Sequence, residues 1–330
     1  MLPEWWNLAT LRISISPRST LIVAADAVLW DQLYDAPLLE RLGPAQDEII
    51  DHVTQVNLAM GVAERPSSTQ VDDAFQADVR AAIAGMPASV QALLDGVLLG
   101  VRFARQLGSS AISDIVVSVE GVIIGVVVAL DVDAFESRTA NAWATWKENT
   151  PFSAEEGFSL HAQIALPGDD NRQGALQYLL LHEFGHVLSA GRNLLHDWWL
   201  DAQSLRGADE YHYLPLAWRI DENKQVVPLA ENVFALRADI VYYHGARMQG
   251  SQMAHAYRQL QGANFATLYA ATSVHEDFAE SFASYVHAVM LGKPQAIRIE
   301  HDGALLLQFD GYWESPRSAG KRALLERLLG

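Results

Sequence analysis

The stretch Leu179-Leu180-Leu181-His182-Glu183-Phe184-Gly185-His186-Val187-Leu188 sets two imidazoles and a carboxylate into an otherwise apolar run. An apolar run of this kind is driven inside, and the polar side chains are costly to bury without a partner. A helix is expected from about Arg172 to Ala190. The turn cluster Pro167-Gly168-Asp169-Asp170-Asn171 offers caps before it, and Gly191 stands just past its end. On that helix His182 and His186 are four residues apart, hence on one face, and both rings reach one ion. Neutral imidazole suits zinc, and a catalytic zinc site takes three protein ligands plus water. Glu183 follows the first histidine and sits to the side of the pair. There it can take a proton from the water rather than bind the metal.

A third ligand has to come from elsewhere. The extended form H-E-x-x-H-x-x-G-x-x-H fails: Ser189 stands where glycine is needed, Arg192 where the third histidine is needed, and His196 is out of register. Further on comes His275-Glu276-Asp277-Phe278-Ala279-Glu280-Ser281-Phe282-Ala283. Glu276 and Glu280 are again four apart on one helical face. One carboxylate can bind zinc, and the other can accept the free N–H of a ligand histidine and fix its tautomer. Asp277 is a competing carboxylate. His275 reads as a helix-entry residue, and His161, in a candidate edge strand, as structural. The pairs Trp5-Trp6 and Trp198-Trp199 read as core or lid packing.

H-E-F-G-H followed about ninety residues later by E-x-x-A-E resembles the gluzincin metallopeptidases. Within them the chain is similar to the catalytic domain of anthrax lethal factor and its relatives. The likeness covers residues 178–288 at most. It implies that Glu276 is the third zinc ligand, that Glu280 supports a ligand histidine, and that Tyr269, seven residues before Glu276, assists the reaction. It also places the substrate by strand addition on the strand before the zinc helix, which is Phe158 to Leu166 here. The expected function is zinc-dependent hydrolysis of peptide bonds, with Glu183 as general base and a peptide or protein as substrate. A zinc amidohydrolase acting on a non-peptide amide, and a non-catalytic zinc-binding or interaction protein, are the alternatives. The motifs of other chemistries, G-x-S-x-G, G-x-x-x-x-G-K-[ST] and G-x-G-x-x-G, are absent.

The rest of the chain sets the frame. Its 330 residues, half of them hydrophobic, suffice for one large domain or two modest ones. The formal charge of −17, from 40 acidic and 23 basic residues, argues against a nucleic-acid partner. Without cysteine, there is no disulfide framework, Cys zinc site or Cys nucleophile. The N-terminus has no basic start and only a short apolar stretch, Leu21 to Ala25, so it is not a good signal peptide. A cytoplasmic protein is expected, with export left open. The longest apolar run, Ile115 to Leu130, carries Glu120, is too short to span a bilayer, and reads as strands.

Helical spacing runs through residues 37–107, including Val71 to Ile83 and Ser89 to Leu107, with Pro87 near a helix start. Strands are expected over residues 11–30. Ile112 to Val119 and Val122 to Val132 predict a hairpin turned at Glu120-Gly121, and Ile297 to Phe309 another turned at Asp302-Gly303. Helices are expected at 233–262, 274–291 and Ser318 to Leu329. The expected fold is α+β: a zincin-like catalytic domain over 109–330, with a small mixed sheet and active-site helices. A mostly helical region over 1–108 precedes it and packs on it as one body. The oligomeric state is not legible.

Overall fold

The computed structural model describes residues 21–24, 26–63 and 65–330. Trp5, Trp6 and the strand expected over 11–20 lie outside the described residues. Of the remainder of that strand only β1 (Ile22–Val23) forms. The chain then enters helix α1 (Ala27–Asp35), because the Asp26 side chain accepts the backbone N–H groups of Val28 and Leu29 and caps it. There follow β2 (Leu42–Pro44), α2 (Asp47–Ala59), β3 (Ser67–Ser68), α3 (Asp73–Ala84), α4 (Ala88–Asp95) and β4 (Leu98–Arg105). Asp72 caps α3, and Pro87 opens α4 as expected.

The helix expected over Ser89 to Leu107 is overturned in its second half. Gly96 ends α4, and Leu98–Arg105 is a strand buried on both faces. A strand covered on both sides shows no apolar alternation, so its sequence passes for a buried helix. The expected hairpin is present as β5 (Ala111–Val117) and β6 (Ile123–Asp131). These strands form one mixed sheet in the order β1-β5-β6-β4-β2, with β3 also on β4. The β5–β6 and β3–β4 pairs are antiparallel and the others parallel. The boundary expected at residue 108 therefore falls inside a sheet: β4 lies before it and its partner β6 after it. One face of the sheet packs Leu99, Val116 and Val127 with Trp30 of α1 and Ile49 and Val53 of α2. The other packs Val101, Phe103, Ile115 and Val128 into the main core.

After the sheet come α5 (Ala140–Asn149), β7 (Phe152–Ser153), β8 (Phe158–Gln163) and α6 (Arg172–Ser189). A looser region holds the hairpin of β9 (Trp218–Ile220) and β10 (Val226–Pro228), then β11 (Met248–Gln249), which pairs with β7. The helix expected over 233–262 shrinks to α7 (Met253–Leu260), because Tyr243 and Gly245 take positive φ, 66° and 90°, which no helix tolerates. Helix α8 (Val274–Ser284) continues as a π-helical turn, Tyr285–Met290. Then β12 (Ala296–His301) and β13 (Ala304–Phe309) turn at Asp302-Gly303, both at positive φ, as that dipeptide requires. Helix α9 (Ala319–Leu329) closes the chain.

Strands β13, β12 and β8 make a second, antiparallel sheet. The free edge of β8 is covered by α5: Thr145 bonds both the N–H and the carbonyl of Ala162, and Asn149 donates to the carbonyl of Leu160. The molecule is thus mixed α/β with small sheets, and no helix among the described residues is long and apolar enough to cross a membrane.

The π-helical turn carries a titratable group inside the core. His287 is 1 % exposed, with Nε2 3.1 Å from the Pro294 carbonyl, and burial pushes its pKa down to about 4. Its folded pKa lies below the ordinary value of about 6.5. Between those two values the unfolded chain takes the proton and the folded chain does not, so stability falls as pH drops through that window and is flat above it. At pH 5 this one group removes about 2 kcal/mol. Urea unfolding at pH 7 and pH 5 is expected to show a larger loss for wild type than for His287→Gln. Equal losses would mean that His287 titrates normally.

Candidate metal centre

Asn171 accepts the N–H of Gly174 and starts α6, and Gly191 at φ 67° lies just past its end, so the expected helix forms with nearly the expected bounds. Helix α8 starts where the Ser273 hydroxyl accepts the N–H of Glu276. The two helices cross at Gly185 and Ala279. A Cβ added at Gly185 would lie 2.6 Å from Ala279 Cα, so only glycine permits this approach. The glycine of H-E-F-G-H and the alanine of E-x-x-A-E thus serve one purpose: they let the second motif reach the first.

At that crossing His182 Nε2 and His186 Nε2 are 3.2 Å apart, and Glu276 Oε2 lies 3.2 Å from the first and 3.5 Å from the second. These three are the one group of potential metal ligands among the described residues. Behind them His182 Nδ1 stands 3.0 Å from Glu280 Oε1. Glu280 is fully buried and lies 2.8 Å from Lys147 Nζ on α5. Burial works to raise the Glu280 pKa, but Lys147 and His182 outweigh it and hold it at about 2.

The donor set fits a divalent cation. Glu276 Oε2 is buried and receives no hydrogen bond, yet it faces two imidazole nitrogens. Three lone-pair atoms this close repel one another unless something positive joins them. A proton can serve: burial opposes a charged His182 ring, but Glu276 and Glu280 outweigh it and raise its pKa to about 10. A zinc ion serves better in kind, because two imidazoles and one carboxylate are its usual catalytic ligands. Metal uptake would then expel that proton.

Glu183 stays outside the trio. It is 4 % exposed, and its carboxylate accepts the hydroxyl of Ser113 on β5. Tyr269 stacks on the His182 ring, with centroids 5.5 Å apart. Burial, helped by Glu276 and Glu183, holds its phenol well above the ordinary range, so it remains a donor. Both line a cleft of about 580 Å³ with the trio, together with Asp114, Trp198, Tyr243 and His275. The cleft wall includes Ala111 to Asp114 of β5, while among the described residues β1 pairs only with Val116 and Val117. The strand edge beside the trio is therefore that of β5, unpaired at Ala111 to Asp114 among the described residues. The strand expected to hold substrate, β8, has its edge filled by α5.

Asp277 takes no part in the trio. It is buried against Lys321 of α9, at 2.5 and 2.7 Å, and accepts the indole N–H of Trp218. Burial outweighs their mutual attraction, pushing Asp277 up and Lys321 down. His275 faces the His196 carbonyl at 2.9 Å, and His161 is exposed on β8. Trp199 packs in the core, and Trp198, packed against it, also lines the cleft and donates to Asp114. Ser113, Lys147 and Glu148 join the site without having been expected there. For Ser113 a usable signal exists, the polar pair Ser113-Asp114 inside a β-branched run. Compared with family models, curated proteins and solved structures, the chain matches none.

Proposed function

We propose that the chain is a zinc-dependent metallopeptidase of the gluzincin type, with a zincin-like core made of α6, α8 and the mixed sheet. The observation that carries this reading is the convergence of His182, His186 and Glu276 beside a Glu183 that stays outside the trio. When bound, zinc supplies a Lewis acid that polarises a carbonyl and makes water acidic near neutral pH. Glu183 takes the proton of the attacking water and returns it to the leaving amine. Ser113 aims the Glu183 carboxylate, and Tyr269 donates to the oxyanion as it forms. Glu280 fixes the His182 ring. The edge of β5 at Ile112 to Asp114, unpaired among the described residues, offers main-chain groups to an extended substrate.

Two features favour a peptide over a small non-peptide amide: the size of the cleft and the strand edge along it. Glu183 favours catalysis over a purely structural metal site. The test joins metal analysis of the purified protein to a digest of denatured protein mixtures, with and without a chelator. About one zinc per chain and chelator-sensitive cleavage are expected. Zinc without cleavage would leave a binding protein, and cleavage of amides but not peptides would leave an amidohydrolase. Absence of both would end the reading.

A further inference from the structure

We propose that Lys147 is a positioning residue for the metal centre: from α5 it pins the Glu280 carboxylate onto His182 and so decides which imidazole nitrogen faces Glu276 and His186. The inference rests on the metal-centre reading above and assigns that site a control point outside both motifs.

A single oxygen carries the geometry. Glu280 Oε1 lies 2.8 Å from Lys147 Nζ and 3.0 Å from His182 Nδ1, so ammonium and imidazole share it. Glu280 itself has no exposed surface, and a carboxylate so buried is costly without a cation in contact. Lys147 fixes Oε1 within 3.0 Å of Nδ1, a position that favours the proton on Nδ1 and leaves the Nε2 lone pair for a metal once its own proton is displaced.

Lys147 is in turn held from several sides. It is 5 % exposed and reaches Glu148 Oε1 at 3.3 Å. Glu148 Oε2 accepts the hydroxyls of Tyr242 and Tyr257, both at 2.8 Å. The ammonium also lies 4.9 Å from the centre of the Tyr269 ring, the ring that stacks on His182. One ammonium thus touches the partner of a ligand histidine and the face of the tyrosine assigned to the oxyanion. A lysine serving only to neutralise Glu148 would need neither contact.

The test measures zinc affinity by chelator competition for wild type, Lys147→Met, Glu280→Gln and the double variant. Histidine ¹⁵N and Nδ1–H shifts in zinc-loaded protein report how His182 holds its Nδ1 proton, independently of turnover. Lys147→Met is expected to weaken zinc about ten- to a hundredfold and to shift the His182 Nδ1–H resonance upfield as its contact with Glu280 loosens. In the Glu280→Gln background the same change should cost little more, because the route through Glu280 is already cut. If Lys147→Met does not fold, Lys147→Gln gives the same readouts. Zinc affinity within twofold of wild type, or full additivity with Glu280→Gln, would overturn this inference alone. A wild type that binds no zinc would overturn the metal-centre reading and this inference with it.

Discussion

Replacing Glu183 by glutamine is expected to leave zinc binding intact and to slow peptide hydrolysis by about a hundredfold or more. Zinc binding survives because the carboxylate is not among the three converging atoms, which come from His182, His186 and Glu276. The fold survives because glutamine has the same length, and its amide oxygen can still accept the Ser113 hydroxyl. What disappears is the basic oxygen that takes the proton of water and hands it to the leaving amine. Metal content by elemental analysis and initial rates on any substrate found in a library digest check both halves together. Near-normal turnover would show that another group is the base, and loss of zinc would show that Glu183 supports the ligands themselves.

The contrast with Ser113 explains what a sequence can and cannot give here. H-E-x-x-H and E-x-x-A-E are legible because helical spacing turns sequence distance into a shared face, as the bounds of α6 and α8 bear out. The hairpins at Glu120-Gly121 and Asp302-Gly303 are legible because a glycine stands where each turn takes a positive φ, Gly121 at 76° and Gly303 at 75°. Strand β4 reads as helix because burial on both faces erases its period. Helix α5 has no counterpart among the expected elements, and its weight in the site comes from Lys147, whose partner Glu280 stands 133 residues away. No local pattern encodes such a pairing. The strand edge beside the trio differs from the expected one for a related reason. The family resemblance favours β8, but Thr145 and Asn149 bond to that edge, while Ser113 of β5 reaches Glu183 from seventy residues upstream. In the sequence Gly185 and Ala279 are motif letters, and their meaning is the distance of closest approach between two helices.

The ordering of three neighbouring carboxylates on α8 separates metal binding from folding. Glu276→Ala is expected to remove most of the zinc affinity, since it deletes one of three converging atoms and the carboxylate that faces both imidazoles. Glu280→Ala should weaken zinc by about ten- to a hundredfold, because it only frees the His182 ring. Asp277→Ala should leave zinc affinity near wild type and instead destabilise the fold. Its carboxylate is fully buried against Lys321, and removing one partner of such a pair costs about 3–5 kcal/mol because a buried charge is left alone. Chelator competition and urea unfolding of zinc-stripped protein read the two effects apart. Glu276→Ala should shift only the first and Asp277→Ala only the second. Should Asp277→Ala lose zinc with its unfolding midpoint unchanged, the register of α8 at the metal is wrong by one residue. His182 and His186 would keep their place on α6 even then, because their spacing does not depend on which carboxylate meets them.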